Sequence, residues 1–294
     1  VASVDRGRYR CLIGDRPVTA MKARELGRRS VVVGDRVALA GDFSGGEGTL
    51  ARIVRVRPRT SVLRRSADDT DPVERVIVAN AEQMVIVSAL ASPPPRFRFI
   101  DRCLVAAYDA GLTPILCLTK ADLAPPDDVL AAYEPLGLDC VVTSRPFTDE
   151  ALGDLHFRLA DRESVLIGPS GVGKSTLVNA LIPAAGRAVG GVNPVTGRGR
   201  HTSSSVIALR LDGPAGQGWV IDTPGLRSFG LGHVSADRVA QAFPDLAEGT
   251  AGCPPGCTHL EKGCALDDWV REHGGAARLD SLRRILRSRE GADA

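Results

Sequence analysis

Residues Gly168-Pro169-Ser170-Gly171-Val172-Gly173-Lys174-Ser175 constrain this chain more than any other stretch. They fit the G-x-x-x-x-G-K-[S/T] phosphate-binding pattern. Before them, Ser164–Ile167 reads as a buried strand; after them, Thr176–Leu181 reads as a helix. That strand–loop–helix order is what the pattern needs: glycines let backbone N–H groups curl around phosphates, and the helix N-terminus favours anions. The expected contacts run from Gly168 to Thr176. Lys174 would reach the β/γ-phosphates, and the Ser175 hydroxyl would bind Mg²⁺. The loop also fixes a fold class, an α/β sheet whose short apolar strands alternate with helices. Met84–Ala89, Ile115–Leu118, Val141–Thr143, Val206–Leu211 and Trp219–Ile221 are further strand candidates, and Phe97–Ala110 and Asp127–Pro135 are helix candidates.

A phosphate loop alone leaves ATP and GTP open. Thr119-Lys120-Ala121-Asp122 follows the strand Ile115–Leu118, so it lies at the carboxyl end of the sheet, where ligands bind. A carboxylate at Asp122 can accept from guanine N1–H and N2–H₂, a donor pair that adenine lacks. The Lys120 stem would pack on the base, and Thr143-Ser144, after the next strand, could offer a backbone amide to guanine O6. Asp222-Thr223-Pro224-Gly225 follows Trp219–Ile221. Asp222 there can hold Mg²⁺ through water, and the Gly225 N–H can sense a γ-phosphate. Between the two lies Gly190–Ser205, rich in Gly, Ser and Thr and suited to a switch loop. Thr202 is its candidate Mg²⁺ hydroxyl, with Ser203 as competitor.

Charge is spread unevenly. The total of 37 basic and 35 acidic residues hides a 1–66 segment with 15 Lys+Arg against six Asp+Glu, leaving the remainder net acidic. Val4–Ile13, Val18–Met21, Val31–Leu39, Leu50–Val56 and Ser61–Leu63 read as short strands. Gly-containing turns punctuate them, which suits a small OB-like barrel. A basic barrel points to a polyanion such as RNA. Tyr9 and Phe43 are its only aromatics, so phosphate contact is favoured over base stacking. Only four basic residues are lysine (Lys22, Lys120, Lys174 and Lys262), and two of them fall in the motifs above. No run approaches the ~18 apolar residues of a membrane helix, and the first residues hold no apolar signal core. A cytoplasmic protein is expected.

Seven cysteines do not make a disulfide framework, since four are scattered in apolar surroundings. The other three lie with a histidine in Cys253-Pro-Pro-Gly-Cys257-Thr-His259 and Cys264, the donor set of a closed structural Zn²⁺ site. His156, His233 and His273 lack such company and read as surface or packing residues. Ser281–Ser288 continues a basic helix with Leu279, Leu282, Ile285 and Leu286 on one face; its arginines are either solvated or placed against RNA.

Order decides the family. The guanine motif comes first, then the phosphate loop, the switch loop and Asp-Thr-Pro-Gly, a permutation of the usual order. With these motifs at this spacing the chain resembles the circularly permuted ribosome-biogenesis GTPases of the RsgA (ribosome small subunit-dependent GTPase A) family. The resemblance covers nearly the whole chain. It implies an OB-fold RNA-binding barrel (1–66), a circularly permuted GTPase domain (67–232) and a helical zinc-binding domain (233–294). It also implies a monomer that binds GTP/GDP and the small ribosomal subunit with its rRNA, and couples GTP hydrolysis to late subunit maturation. The resemblance supports His201 as the group that orients water. Leu226 stands where many GTPases carry a Gln, so hydrolysis is expected to be slow without a partner. Two rivals stay open: a nucleotide-gated RNA-binding module with negligible turnover, and a P-loop ATPase or kinase.

Overall fold

The computed structural model describes residues 1–27, 31–46, 48–66, 74–187, 205–213, 215–226, 229–232 and 234–289. The N-terminal module contains β1 (Ser3–Asp5), β2 (Arg8–Ile13), β3 (Arg16–Lys22), β4 (Val37–Gly41) and β5 (Ala51–Val56). They pair in the order β1-β2-β3-β5-β4, antiparallel throughout except for a parallel β3–β5 pair, an OB-like arrangement. Side chains alternate along the strands. Tyr9, Cys11, Val18, Ala20, Ala51 and Ile53 turn inward to a core of their own, while Arg8, Arg10, Arg16, Arg52 and Arg55 turn outward. Period-two patterning therefore segregates the apolar residues inside and much of the positive charge outside.

Three expectations for this region change. Of Val31–Leu39 only Val37–Leu39 lies in a strand, because Gly34 (φ 89°) turns the chain and Asp35 N donates to the Val32 carbonyl at 3.2 Å, leaving Val33 in an isolated bridge to Val78. Val4–Ile13 is two strands, because Arg6 (φ 46°) and Gly7 (φ 80°) turn the chain between β1 and β2. The stretch Ser61–Leu63 belongs to β6 (Val62–Arg65), which pairs outside the barrel with β7 (Arg75–Ala79), antiparallel. Ser66 then bridges to Gly230: its N–H donates to the Gly230 carbonyl at 3.2 Å, and its Oγ accepts from Gly232 N at 2.9 Å.

The nucleotide sheet follows in chain order. It comprises β8 (Gln83–Ala89), α1 (Phe97–Asp109), β9 (Thr113–Thr119), α2 (Asp127–Tyr133), β10 (Asp139–Val142), α3 (Asp149–Leu159), β11 (Glu163–Ile167), α4 (Lys174–Leu181), β12 (Ile207–Gly213) and β13 (Gly216–Asp222). Strands β10-β9-β8-β11-β13 are parallel, and β12 adds antiparallel at the edge before β1 continues the sheet into the barrel. Both faces are apolar. Met84 and Ile86 pack with α1 on one side, while Val85 and Val87 pack with α3 and α4 on the other. Strand order reverses between β8 and β11, so the carboxyl-end crevice opens there.

The C-terminal part contains α5 (Ala236–Gln241), α6 (Pro244–Ala247), α7 (Ala265–His273) and α8 (Ala276–Arg289). Leu279, Leu282, Ile285 and Leu286 form the buried face of α8, as their spacing predicts. A buried polar cluster joins α8 to the nucleotide domain. Asp101 on α1 accepts from Tyr133 Oη at 2.9 Å and from Ser281 Oγ, and Arg278 lies 4.4 Å over the Phe243 ring. No helix among the described residues is long and apolar enough to cross a membrane.

Candidate nucleotide and metal sites

The phosphate loop is built by close packing. A Cβ on Gly168 would meet the Val87 carbonyl oxygen at 2.6 Å, so only glycine lets β11 leave the sheet beside β8. Gly171 (φ 83°) and Gly173 (φ 92°) take left-handed backbone, which turns the loop into the start of α4. Val172 is anchored in the core, and Lys174 opens the helix with its side chain buried.

Sequence-distant motifs meet on this loop. Thr119 Oγ1 donates to the Val172 carbonyl at 2.5 Å, and Lys120 Nζ donates to the Gly171 carbonyl at 2.9 Å and to that of Ser92. Burial and the neighbouring Arg145 charge lower the Lys120 pKa, and Asp122 partly opposes them. Asp122 is exposed; its Oδ1 accepts from Arg145 N at 2.9 Å, which orients the carboxylate at the rim. Thr143 is buried, with Oγ1 donating to the Leu118 carbonyl at 3.2 Å and its own carbonyl accepting from Ala121 N. Its side chain thus faces the chain behind the motif, leaving Ser144, half-buried, nearer the rim.

On the other flank, Asp222 ends β13 with no exposed surface. Its Oδ1 pairs with Lys174 Nζ at 3.0 Å, and its Oδ2 accepts from Arg187 Nε at 2.8 Å. Lys174 Nζ also donates to the Thr223 carbonyl, and Thr223 Oγ1 donates to that of Leu166 at 2.7 Å. The following turn lies on the phosphate loop itself. Leu226 N donates to the Gly168 carbonyl at 3.1 Å, and a Cβ on Gly225 would come within 3.0 Å of Ser170 N. The Leu226 side chain is buried in the core on the α1 side. Arg187 was not singled out by sequence and carries no motif. It follows the α4 helix and a Pro183–Ala185 turn, and two hydrogen bonds to Asn179 fix it. His201, Thr202 and Ser203 lie outside the described residues, as does His233.

The four candidate donor atoms of the C-terminal cluster, three sulfurs and one nitrogen, converge. Cys253 Sγ lies 3.6 Å from both Cys264 Sγ and His259 Nδ1, His259 Nδ1 lies 3.7 Å from Cys264 Sγ, and Cys257 Sγ lies 3.9 Å from Cys264 Sγ. All four atoms fall within 4.8 Å of one another. Tetrahedral zinc with Zn–S of about 2.3 Å needs sulfurs about 3.8 Å apart, so the donor spacing fits. Arg283 of α8 braces the loop by donating to the His259 carbonyl at 2.9 Å and pairing with Asp267 at 2.7 Å. Of the other histidines, His273 stacks on Trp269, and His156 is buried against Gly213.

A profile of the RsgA GTPase family matches residues 56–232, which include the guanine motif, the phosphate loop and Asp222–Gly225. The chain belongs to the RsgA GTPase family. Among its relatives, the small ribosomal subunit biogenesis GTPase RsgA of Chromohalobacter salexigens is 39% identical over 267 residues, spanning 87% of this chain and 74% of that protein. The protein of the same name from Gemmatimonas aurantiaca is 38% identical over 259 residues, spanning 85% of this chain and 81% of that protein. In fold, the chain is similar to the crystal structures of YloQ, a circularly permuted GTPase (TM-score 0.69, 23% identity, 100% of this chain and 95% of that one), and of YjeQ from Thermotoga maritima (TM-score 0.68, 23% identity, 94% and 91%). The profile spans the permuted motifs, and the likeness in fold to YloQ and YjeQ extends over the barrel and helical parts as well.

Proposed function

We propose that this chain is a GTP hydrolase of small-subunit assembly, with the barrel (β1–β5 of the expected 1–66) on rRNA, the permuted domain (67–232, joined by β6) as switch, and the C-terminal domain (233–294) reporting nucleotide state. One observation carries the nucleotide reading: Thr119 and Lys120 are hydrogen-bonded to the phosphate loop, so Asp122 and Lys174 share one crevice. In this reading Asp122 accepts from guanine, with the Lys120 stem beneath the base and the Ser144 backbone beside O6. Loop residues Gly168 to Thr176 wrap the phosphates. Lys174 neutralises the β/γ-phosphates, Ser175 and Asp222 hold the ion, and Gly225 N–H reads the γ-phosphate. Mg²⁺, when bound, supplies further neutralisation of phosphate charge. Thr202 and His201 are the proposed second metal hydroxyl and water-orienting base.

Leu226 stands in place of a water-positioning Gln and its side chain is buried in the core, so turnover alone should be slow and a ribosomal partner should raise it. The outward arginines of β2, β3 and β5 support an RNA-facing barrel. The Cys253–Cys257–His259–Cys264 set supports a single structural Zn²⁺, and a cytoplasmic monomer fits the rest. Rates of GTP hydrolysis with and without small subunits test the reading. Stimulation is expected, and its absence, with binding retained, favours the nucleotide-gated RNA-binding module instead. Co-sedimentation should show preference for small over large subunits and for a non-hydrolysable GTP analogue over GDP.

A further inference from the structure

Asp222 is fully buried and meets two cations, one on each carboxylate oxygen. Lys174 is the expected one. The second, Arg187, is held with unusual care for a residue just beyond a helix. Asn179 on α4 accepts from Arg187 N at 2.7 Å and donates to the Arg187 carbonyl at 2.7 Å, a two-point clamp on the main chain. Gly186 (φ 55°) provides the left-handed turn that brings the chain back toward the sheet. From this anchor the guanidinium reaches Asp222 Oδ2 with Nε at 2.8 Å and Nη2 at 2.7 Å, and it is itself largely buried.

We propose that Arg187 is a resident cation of the Asp222 carboxylate that competes with the divalent ion accompanying the nucleotide, and so sets how much Mg²⁺ the site requires. The inference rests on the reading of Asp222 as the carboxylate on the metal side. The physical argument is one of exclusion. Once Lys174 turns to the phosphates, Arg187 is the remaining neutraliser, among the described residues, of a carboxylate with no solvent access. A hydrated divalent ion drawn to the Ser175 hydroxyl needs the oxygens that Lys174 and Arg187 hold; Lys174 can turn to the phosphates, but a doubly charged ion beside the buried Arg187 guanidinium meets strong repulsion. Arg187 therefore yields as metal enters. Its departure leaves the Asn179 clamp in place, because that clamp holds main chain and not the guanidinium. The consequence is a site that keeps its buried carboxylate neutralised with or without metal, at the cost of weaker metal binding.

The test uses the full chain and a fluorescent GDP analogue, with nucleotide affinity measured across a wide range of free Mg²⁺. Manganese substituted for Mg²⁺ lets bound metal be counted directly by electron paramagnetic resonance. In Arg187→Gln the Mg²⁺ concentration at half-effect should fall about tenfold, with Mn²⁺ bound more tightly by the same factor. Arg187→Lys, which keeps the charge, should stay near the parent. Asn179→Ala, which releases the clamp without touching the charge, should shift in the same direction as Arg187→Gln but less, and serves if Arg187→Gln does not fold. An unmoved or raised midpoint in Arg187→Gln, with Asp222→Asn still abolishing the Mg²⁺ effect, overturns the inference and leaves the Asp222 reading intact. Weaker nucleotide binding at every Mg²⁺ concentration also overturns it, since that marks Arg187 as a phosphate ligand. Full Mg²⁺ sensitivity in Asp222→Asn removes both.

Discussion

The two ends of the nucleotide crevice are stabilised in opposite ways. At the base end, Thr119, Lys120 and Asp122 are fixed by hydrogen bonds to main chain: the Val172 and Gly171 carbonyls and Arg145 N. At the phosphate end, Lys174, Asp222 and Arg187 satisfy one another as buried charges. A main-chain frame can stay as it is when ligand arrives, so the base end is suited to constant selectivity. A closed set of charges must exchange partners when phosphate and metal enter, so the phosphate end is suited to switching. The turn that carries Asp222 and Gly225 continues to Phe229, whose carbonyl accepts from Arg102 on α1, and to Gly230, which bridges to Ser66. Phe229 and Gly230 thereby give the phosphate end contacts to α1 and to the β6–β7 pair, while the base end reaches α1 and α8 through Tyr133 of α2, which donates to Asp101.

The largest effect that separates the two ends is expected from Lys174→Ala. Truncating one partner of a buried charge pair costs about 2–5 kcal/mol, so GTP and GDP affinity should both fall roughly 1,000-fold. Titration calorimetry decides this; a loss of only a few-fold would show that the backbone loop, and not the Lys174 charge, holds the phosphates. Next is Asp122→Asn at the base end. The amide keeps one acceptor oxygen but turns a donor toward guanine, so about one hydrogen bond to a charged acceptor is lost, worth about 1.5–3 kcal/mol net. Guanine nucleotides should bind about 100-fold more weakly, and xanthine nucleotides should bind in their place. Because Asp122 is exposed, the melting temperature should hardly move. A gain of xanthine binding without loss of Mg²⁺ response would confirm that the two ends are separable.

Gly225→Ala should act at the joint between them. The new Cβ would lie 3.0 Å from Ser170 N and Cα, main-chain atoms that cannot rotate away. The turn must then lift from the phosphate loop, which should weaken GTP about tenfold while leaving the base preference unchanged. Competition between GTP and GDP for the fluorescent analogue reads this directly. Equal weakening of xanthine and guanine binding by Asp122→Asn/Gly225→Ala, relative to Asp122→Asn alone, would show that the joint is indifferent to the base.

Much of the base end was legible in sequence because its motif sits on a strand end and uses rare lysines. The phosphate loop was legible for the same reason, with glycines where the backbone takes left-handed turns. Arg187 was not, since nothing local distinguishes one arginine among many; only the Asn179 clamp and the course of the chain bring it to Asp222. The barrel's alternation is legible, but the sequence of β6 does not separate it from the barrel, because a four-residue strand does not reveal its partner. Helix α3 went unread although Thr148 caps it, accepting from Ala151 N at 3.2 Å, because Asp149–Leu159 shows little amphipathic contrast. The cysteine–histidine cluster is plain from composition and spacing, while the bracing of its loop by Arg283 requires α8 to fold against it.

The smallest expected effect concerns Lys120 and pH. Burial and Arg145 lower its pKa below the usual 10.5 in the folded protein, so between the two values the unfolded chain binds more protons and stability rises with pH. Buried thiols and phenols act in the opposite sense: Cys117 is pushed up to about 12 and Tyr133 is also raised, so the folded state holds their protons and loses stability as pH climbs through the alkaline range. The parent's stability should therefore decline on the alkaline side, with Lys120 offsetting part of the slope. In Lys120→Met that offset disappears, and urea midpoints compared across the alkaline range should fall more steeply than in the parent. A parallel decline in the two proteins would mean that Lys120 titrates as it does in water. In that case Lys120 would hold the Gly171 and Ser92 carbonyls as a fully charged ammonium throughout the alkaline range, and the base end would keep its order without any titration of its own.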